Sequence, residues 1–306
     1  MKKRFLSYGA GMQTFALLIM AEKGDLEIDE VIFADTGAEH PETYEHIEKV
    51  ARPICERIGI PFLTVRMRKE VDDISMLGRG QLEDYKRMLE STSKLKSQAE
   101  RRYAHREYVI QHNIPRKIVT SLREEIIARR RVPSINPSTR WCTSDAKIVP
   151  IYRDYVRYAQ ERGEYVKPAI AVIGLGYEEL LRMYKPHLSE YTVEYPLIQG
   201  KMKRKDCIEY IKRNGYEVPP KSGCYFCPFQ GVKEWADLRN KHPDLFEDAM
   251  HLEEMDLNYP SYALFPKKGW TLKRLNGYLS DMVQTTLLDE DYREEMQCEQ
   301  AGYCGL

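Results

Sequence analysis

The sequence predicts an α/β fold: a doubly wound, mostly parallel sheet with an inserted basic helical lobe and a C-terminal helical module that carries cysteines. Three observations carry this expectation. The chain opens on a short apolar run that breaks into small residues and resumes at helical spacing, residues 4–14 leading into 15–20. A second apolar run, Val31-Ile32-Phe33-Ala34, follows it, and a third, Ala169-Ile170-Ala171-Val172-Ile173, comes much later. Runs this short and apolar read as strands buried on both faces, and the order strand, helix, strand predicts parallel pairing with right-handed crossovers. The expected organisation is an α/β domain over residues 1–200, with a helical insertion over 66–135, and a cysteine-bearing module over 201–306.

The first break reads Ser7-Tyr8-Gly9-Ala10-Gly11-Met12-Gln13-Thr14. Gly9 and Gly11 let the main chain approach a ligand closely, and the N–H groups that open the next helix point outward with the positive end of its dipole. The loop is therefore suited to hold phosphate, with Ser7 and Thr14 adding hydroxyls at its edges; a plain tight turn is the alternative. Neither a Gly-Lys-Ser/Thr ending nor G-x-G-x-x-G spacing is present. The second strand ends in Asp35-Thr36-Gly37-Ala38-Glu39, and in parallel sheets ligands lie beyond such carboxyl ends, where the two loops meet. Asp35 and Thr36 could equally cap a turn. Residues 41–58 read as a helix with Cys55 in the core, and 62–65 as a third strand.

From residue 66 to 131 the pattern becomes charged and helical, and basic residues outnumber acids, ending in Arg129-Arg130-Arg131. With Tyr103 and Tyr108 interleaved, this lobe could grip a phosphate backbone and stack bases, or present solvated faces whose arginines pair with nearby glutamates. Formal net charge is zero, so any nucleic acid must be met by such a local patch. No apolar run approaches the roughly 20 residues that span a bilayer, so no membrane partner is expected and the cytoplasm is the expected location. There the seven cysteines are expected to be free, metal-bound or redox-active rather than paired in disulfides.

Arg140-Trp141-Cys142 with Lys147 sets two cations near one thiol, an arrangement that favours thiolate, although Cys142 could simply be buried. The strand 169–173 runs into Gly174 and a helix start whose Glu178 and Arg182 lie one turn apart; Arg182 could neutralise phosphate or form a plain ion pair. In the last third, Cys224-Tyr225-Phe226-Cys227 sits in a glycine- and proline-bounded turn and forms half of a metal site or a redox pair. Zinc would need two further ligands, for which Cys142, Cys298 and Cys304 are candidates. An iron–sulfur cluster is also held by cysteine, and spacing does not separate the two. Cys207 reads as core.

Taken in order, residues 7–14, Asp35-Thr36-Gly37 with Glu39, Pro41-Glu42-Thr43-Tyr44, Arg140-x-Cys142 with Lys147, and residues 174–182 resemble the phosphoadenosine-phosphosulfate (PAPS) reductase-like branch of the PP-loop ATP pyrophosphatases. The loop departs from that pattern at Ala10, Gln13 and Thr14. The resemblance implies a domain that binds ATP or a related adenine nucleotide and cleaves ATP between its α and β phosphates, leaving AMP on a substrate oxygen. It implies nucleotide contacts at Ser7, Gly9, Gly11, Gln13, Thr14, Asp35, Thr36, Gly37, Arg140 and Gly174. It also implies charge neutralisation by Lys147, Arg182 and a Mg2+ ion near Asp35. The tail resembles a module of PAPS reductase-like proteins with a Lys-Ser-x-Cys-x-x-Cys-Pro-Phe motif. By that likeness Cys224, Cys227, Cys304 and Cys142 are expected to hold a 4Fe-4S cluster, with Zn2+ as the alternative. The expected function is adenylation of a nucleic-acid group, tRNA or DNA, with a sulfur donor protein as a further partner. A PAPS reductase and a non-catalytic nucleotide sensor are the alternatives.

Overall fold

The structure is a computed structural model that describes residues 2–95, 97–135, 140–184, 190–257, 264–265 and 270–284. Cys298 and Cys304 lie outside the described residues. Along the chain, β1 (Arg4–Tyr8) leads to α1 (Met12–Lys23), β2 (Glu30–Asp35), α2 (Pro41–His46), a wide π-type turn Ile47–Ala51, α3 (Arg52–Ile58) and β3 (Phe62–Arg66). An antiparallel ribbon of β4 (Lys69–Asp72) and β5 (Arg116–Val119) holds the helices α4 (Arg79–Ser93) and α5 (Gln98–Gln111) between its strands, and α6 (Leu122–Arg129) follows. A π-type helix, Ser144–Val156, continues as α7 (Arg157–Glu161) into β6 (Ala169–Ile173), a 3-10 turn Tyr177–Arg182, β7 (Tyr191–Glu194), α8 (Pro196–Gln199) and α9 (Arg204–Arg213). The last elements are α10 (Val232–Lys241), α11 (Pro243–Glu254) and α12 (Leu272–Gln284).

The five-stranded sheet has the order β3-β2-β1-β6-β7 and every pairing in it is parallel. β1 therefore sits at the centre, and the winding reverses between β1 and β6. Side chains alternate as a pleat requires. Leu6, Tyr8, Val31 and Phe33 face a layer that includes Phe15, Leu18, Ile54 and Cys55, while Phe5, Ile32 and Ala171 face Ile151, Tyr152 and Val156. Both wide helical segments have a proline in or beside them, Pro53 and Pro150. A proline has no N–H for the preceding turn and clashes with the carbonyl there, which loosens the winding.

One feature differs from the sequence reading: the insertion contains the β4–β5 ribbon as well as helices, and its short, charged strands give no alternation to read. Across residue 200, Cys207 and Ile211 of α9 join the core over α1. A further core merges α6 with the C-terminal helices, where Leu122 and Ile126 pack with Trp235, Phe246, Leu252 and Leu275. Trp235 and Leu238 pack this core, as their spacing suggests, and Cys55 and Cys207 are both buried.

Candidate nucleotide site

β1 delivers Ser7 to the middle of the sheet, opposite Ile32 of β2 and Ile173 of β6, where its hydroxyl meets that of Tyr152. Gly11 is the N-cap of α1 with extended dihedrals (φ −94°, ψ 171°), no side chain caps the helix, and no acid lies in its first turn. The first N–H groups of a helix have no partner within it, so α1 offers uncapped donors and an unopposed positive dipole end at the loop. Thr14 turns its hydroxyl back on the Gly11 carbonyl at 3.0 Å. Ala10 adopts φ +56° and is buried. That backbone region favours glycine, the residue commonly found there in the loop that this one resembles.

The opposite wall of the crevice comes from β6 and the π-type helix. Ser7, Gly9, Thr14, Lys147 and Gly174 line one small cavity of about 30 Å³, closed below by Ile151 and Ile173. That is room for a phosphate oxygen or a water, and a nucleoside must extend beyond it. Gly174 is required by contact: a Cβ there would lie 2.7 Å from Thr14 Cγ2 and 3.0 Å from the Thr14 nitrogen. Gln13 Nε2 donates to Glu179 at 2.5 Å, and Glu179 also accepts from the Gly176 N–H at 3.1 Å and from Arg182. Arg182 thus pairs with Glu179 rather than Glu178, because the turn is 3-10 with three residues per turn. Glu178 instead accepts from the Arg204 N–H at 2.8 Å.

Asp35 is built differently from the expectation of a magnesium ligand. Its Oδ1 accepts from the Gly37 N–H at 2.8 Å and the Tyr44 hydroxyl at 2.7 Å, and its Oδ2 accepts from Arg66 Nε at 2.8 Å and Nη2 at 2.7 Å. A carboxylate has about four acceptor positions, and these contacts use them. The cause is register: Asp35 and Arg66 are direct partners at the ends of β2 and β3. The described residues therefore do not fit a Mg2+ ion at Asp35. Thr36 and Gly37 do not line the crevice either. Thr36 is fully buried and donates to Glu39 Oε1 at 3.1 Å, and Gly37 (φ +69°) lies against Ser121, where a Cβ would come within 2.6 Å.

The cysteine turn docks onto this same loop. Glu39 and Cys224 form an antiparallel bridge, Tyr225 N–H donates to the Ala38 carbonyl at 2.9 Å, and Cys227 N–H donates to the Cys224 carbonyl at 2.9 Å. Cys224 Sγ donates to Thr36 Oγ1 at 3.3 Å. Burial first, then the Glu39 carboxylate and Cys142, push the Cys224 thiol well above its ordinary pKa, and Lys147 opposes the shift. Lys147 thus lines the crevice and acts on the cysteine turn. Arg140 lies over the Phe229 ring at 5.7 Å, on the cysteine side rather than in the crevice. Cys142, Cys224 and Cys227 form no disulfide among the described residues, and Cys142 and Cys224 pack on one core. Among the described residues, no group of three metal-ligating side chains converges. Cys304, the fourth expected ligand, lies outside the described residues.

Sequence reasoning missed Arg66, Tyr152, Glu179 and Ser222. Ser222 comes close to the loop, for a Cβ on Gly11 would lie 3.0 Å from its Oγ. The Lys-Ser step before Cys224 was the available signal; the other three depend on strand register and helix type. In the lobe, Arg116 pairs with Glu70, Arg123 with Asp248, and Arg129 with Glu125, so much of its positive charge is balanced locally. No helix among the described residues is long and apolar enough to cross a membrane.

A central parallel strand, a glycine loop, an uncapped helix and a switch-point crevice together form an α/β domain consistent with a PP-loop fold. Residues 3–109, about a third of the chain, match the model of the phosphoadenosine phosphosulfate reductase domain, so this part is similar to the PAPS reductase-like branch of the PP-loop superfamily. Members of that family are generally enzymes that use adenine nucleotides. No curated protein matches the chain.

Proposed function

We propose that this protein is an ATP pyrophosphatase that adenylates a nucleic-acid group and releases pyrophosphate. The observation that carries this reading is the shared crevice of Ser7, Gly9, Thr14, Lys147 and Gly174 at the reversal of the sheet. The uncapped first turn of α1 would hold the β and γ phosphates through its N–H groups. Lys147 would neutralise charge as the α–β bond breaks, and Arg182, held by Glu179 beside Gln13, would serve the outgoing pyrophosphate. The acceptor oxygen attacks the α phosphorus, AMP stays on the acceptor, and the electron pair of the broken bond leaves on pyrophosphate. Magnesium accompanies the nucleotide in this reading, with no protein ligand assigned.

The cysteines enter separately. A cluster or zinc at Cys142, Cys224 and Cys227 requires these thiols to close up and a fourth ligand to join, for which Cys304 is the candidate. Metal analysis of anaerobically purified protein tests this, and metal-free active protein would remove it. The family match favours one second reading, reduction of PAPS. Titration of a non-hydrolysable ATP analogue into the wild type and Lys147→Ala tests the site, with at least tenfold weaker binding expected in the variant. Thioredoxin-dependent sulfite release from PAPS, with no pyrophosphate from ATP, would favour the reductase.

A further inference from the structure

A cavity of about 510 Å³ lies away from the crevice, between β4, the helices α4 and α5, and the end of α6. Its volume falls in the range of small-molecule sites, roughly 300–1,000 Å³. One wall is apolar, with Ile74, Leu89 and Leu257 beside the Tyr85 ring. The polar wall is set in place by its own contacts. Tyr85 hydroxyl bonds His105 Nδ1 at 2.9 Å, and His105 Nε2 reaches Asp72 at 3.1 Å. Lys69 and Arg129 are held by Glu125 at 2.9 and 2.7 Å. The acids on the wall are engaged as well: Glu70 and Asp72 by Arg116 at 2.7 and 3.7 Å, and Asp256 by the Val132 N–H at 2.7 Å.

Arg130 stands apart from this balanced set. It lines the cavity, its backbone is left-handed (φ +47°), and its Nε is buried without a hydrogen-bond partner. The left-handed backbone is the C-cap that closes α6, where that conformation is ordinary, whereas an orphaned buried donor costs stability and marks a side chain short of a partner. The cavity also adjoins the nucleotide crevice through one short segment. Asp145 pairs with Lys69 and lies 4.0 Å from Arg129, and two residues later Lys147 lines the crevice.

We propose that this cavity is a second binding site, for the phosphate and base of a nucleotide unit, with Arg130 as its phosphate contact. The apolar wall and Tyr85 would receive the base. The same chemistry could come from a free mononucleotide or from the phosphorylated end of a strand. The proposal rests on the preceding reading for what the ligand is for, as the acceptor beside ATP, and not for whether it binds.

The test is calorimetric binding of thymidine 5′-monophosphate and of a 5′-phosphorylated oligothymidylate to protein whose crevice is saturated with a non-hydrolysable ATP analogue. At least one probe is expected to bind, with affinity at least tenfold weaker in Arg130→Gly. Glycine fits the left-handed backbone, so Arg130→Gly should melt no lower than the wild type; Arg130→Asn, which also tolerates it, is the second variant. Binding of the mononucleotide would identify a free nucleotide, and binding of the strand alone a strand end. Absence of binding by both probes, or binding indifferent to both Arg130 variants, would overturn the proposal. Neither readout needs turnover, so a failure here is distinct from failure to release pyrophosphate.

Discussion

Ala10 holds a left-handed backbone (φ +56°) inside a phosphate-binding type of loop, and an L side chain there costs about 1–2 kcal/mol. Ala10→Gly removes that strain and adds about 0.5–1 kcal/mol of unfolded-state entropy cost. The net expectation is a gain of up to about 1.5 kcal/mol, read as a melting temperature higher by a few degrees or less. A lower melting temperature would show that the buried methyl matters more than the strain. Gly9 makes a contrasting case, because a Cβ there meets nothing within 4 Å. Gly9→Ala should leave the melting temperature unchanged and weaken binding of an ATP analogue at least tenfold, since the only thing left to clash with is ligand. Equal affinity in a calorimetric titration would mean that phosphate does not approach this residue. Gly9, Gly11 and Thr14 were legible in the sequence because a loop between strand and helix is a local pattern. The clasp of Asp35 by Arg66 was not, because it depends on the register of two strands separated by a helical run.

At the scale of elements, the buried Glu125 of α6 ties Lys69 of the ribbon and Arg129 of its own helix, and Lys69 reaches on to Asp145. Removing Glu125 leaves Lys69 and Arg129 with Asp145 alone, and because both cations are about a third exposed solvent screens part of the loss, which is on the order of 1–3 kcal/mol. Glu125→Ala should therefore lower the denaturant midpoint strongly and weaken nucleotide binding by releasing the segment that carries Lys147. An unchanged midpoint would make the network ornamental. A second element carries a pH response. Glu30 opens β2 at the end of the sheet away from the crevice, and burial raises its carboxyl from 4.5 to about 7. A carboxyl raised in the folded chain binds its proton more tightly there than when unfolded, so stability falls as pH rises from about 4.5 through about 7. Glu30→Gln removes the ionisable group. Thermal melts should show it stabilised at pH 8, on the order of 1–3 kcal/mol, with the difference shrinking toward pH 5. A gain equal at both pH values would contradict the burial account. Helices and central strands were legible because their apolar periods are strong. β4 and β5 were not, since their charged residues resemble those of the helices between them.

At the scale of the molecule, the inserted lobe and the cysteine module are one packing unit. Leu122 and Ile126 share a core with Trp235 and Phe246, and α9 seals α1. A fragment of residues 1–200 should consequently fail to melt cooperatively by calorimetry, whereas a sharp transition with retained ATP-analogue binding would restore a domain boundary there. Sequence order could not reveal this union, because it joins segments more than a hundred residues apart. The same packing brings the Ser222–Cys224 segment and Lys147 toward the glycine loop, so the candidate crevice draws on segments from Ser7 to Cys224. The most direct measurement is the identity of the products formed from ATP, followed by 31P nuclear magnetic resonance with tRNA or DNA as acceptor. The proposed chemistry predicts pyrophosphate with adenylate, free or attached to the acceptor, in equal amounts and abolished in Lys147→Ala; formation of ADP and inorganic phosphate, or no turnover with either acceptor, would contradict it.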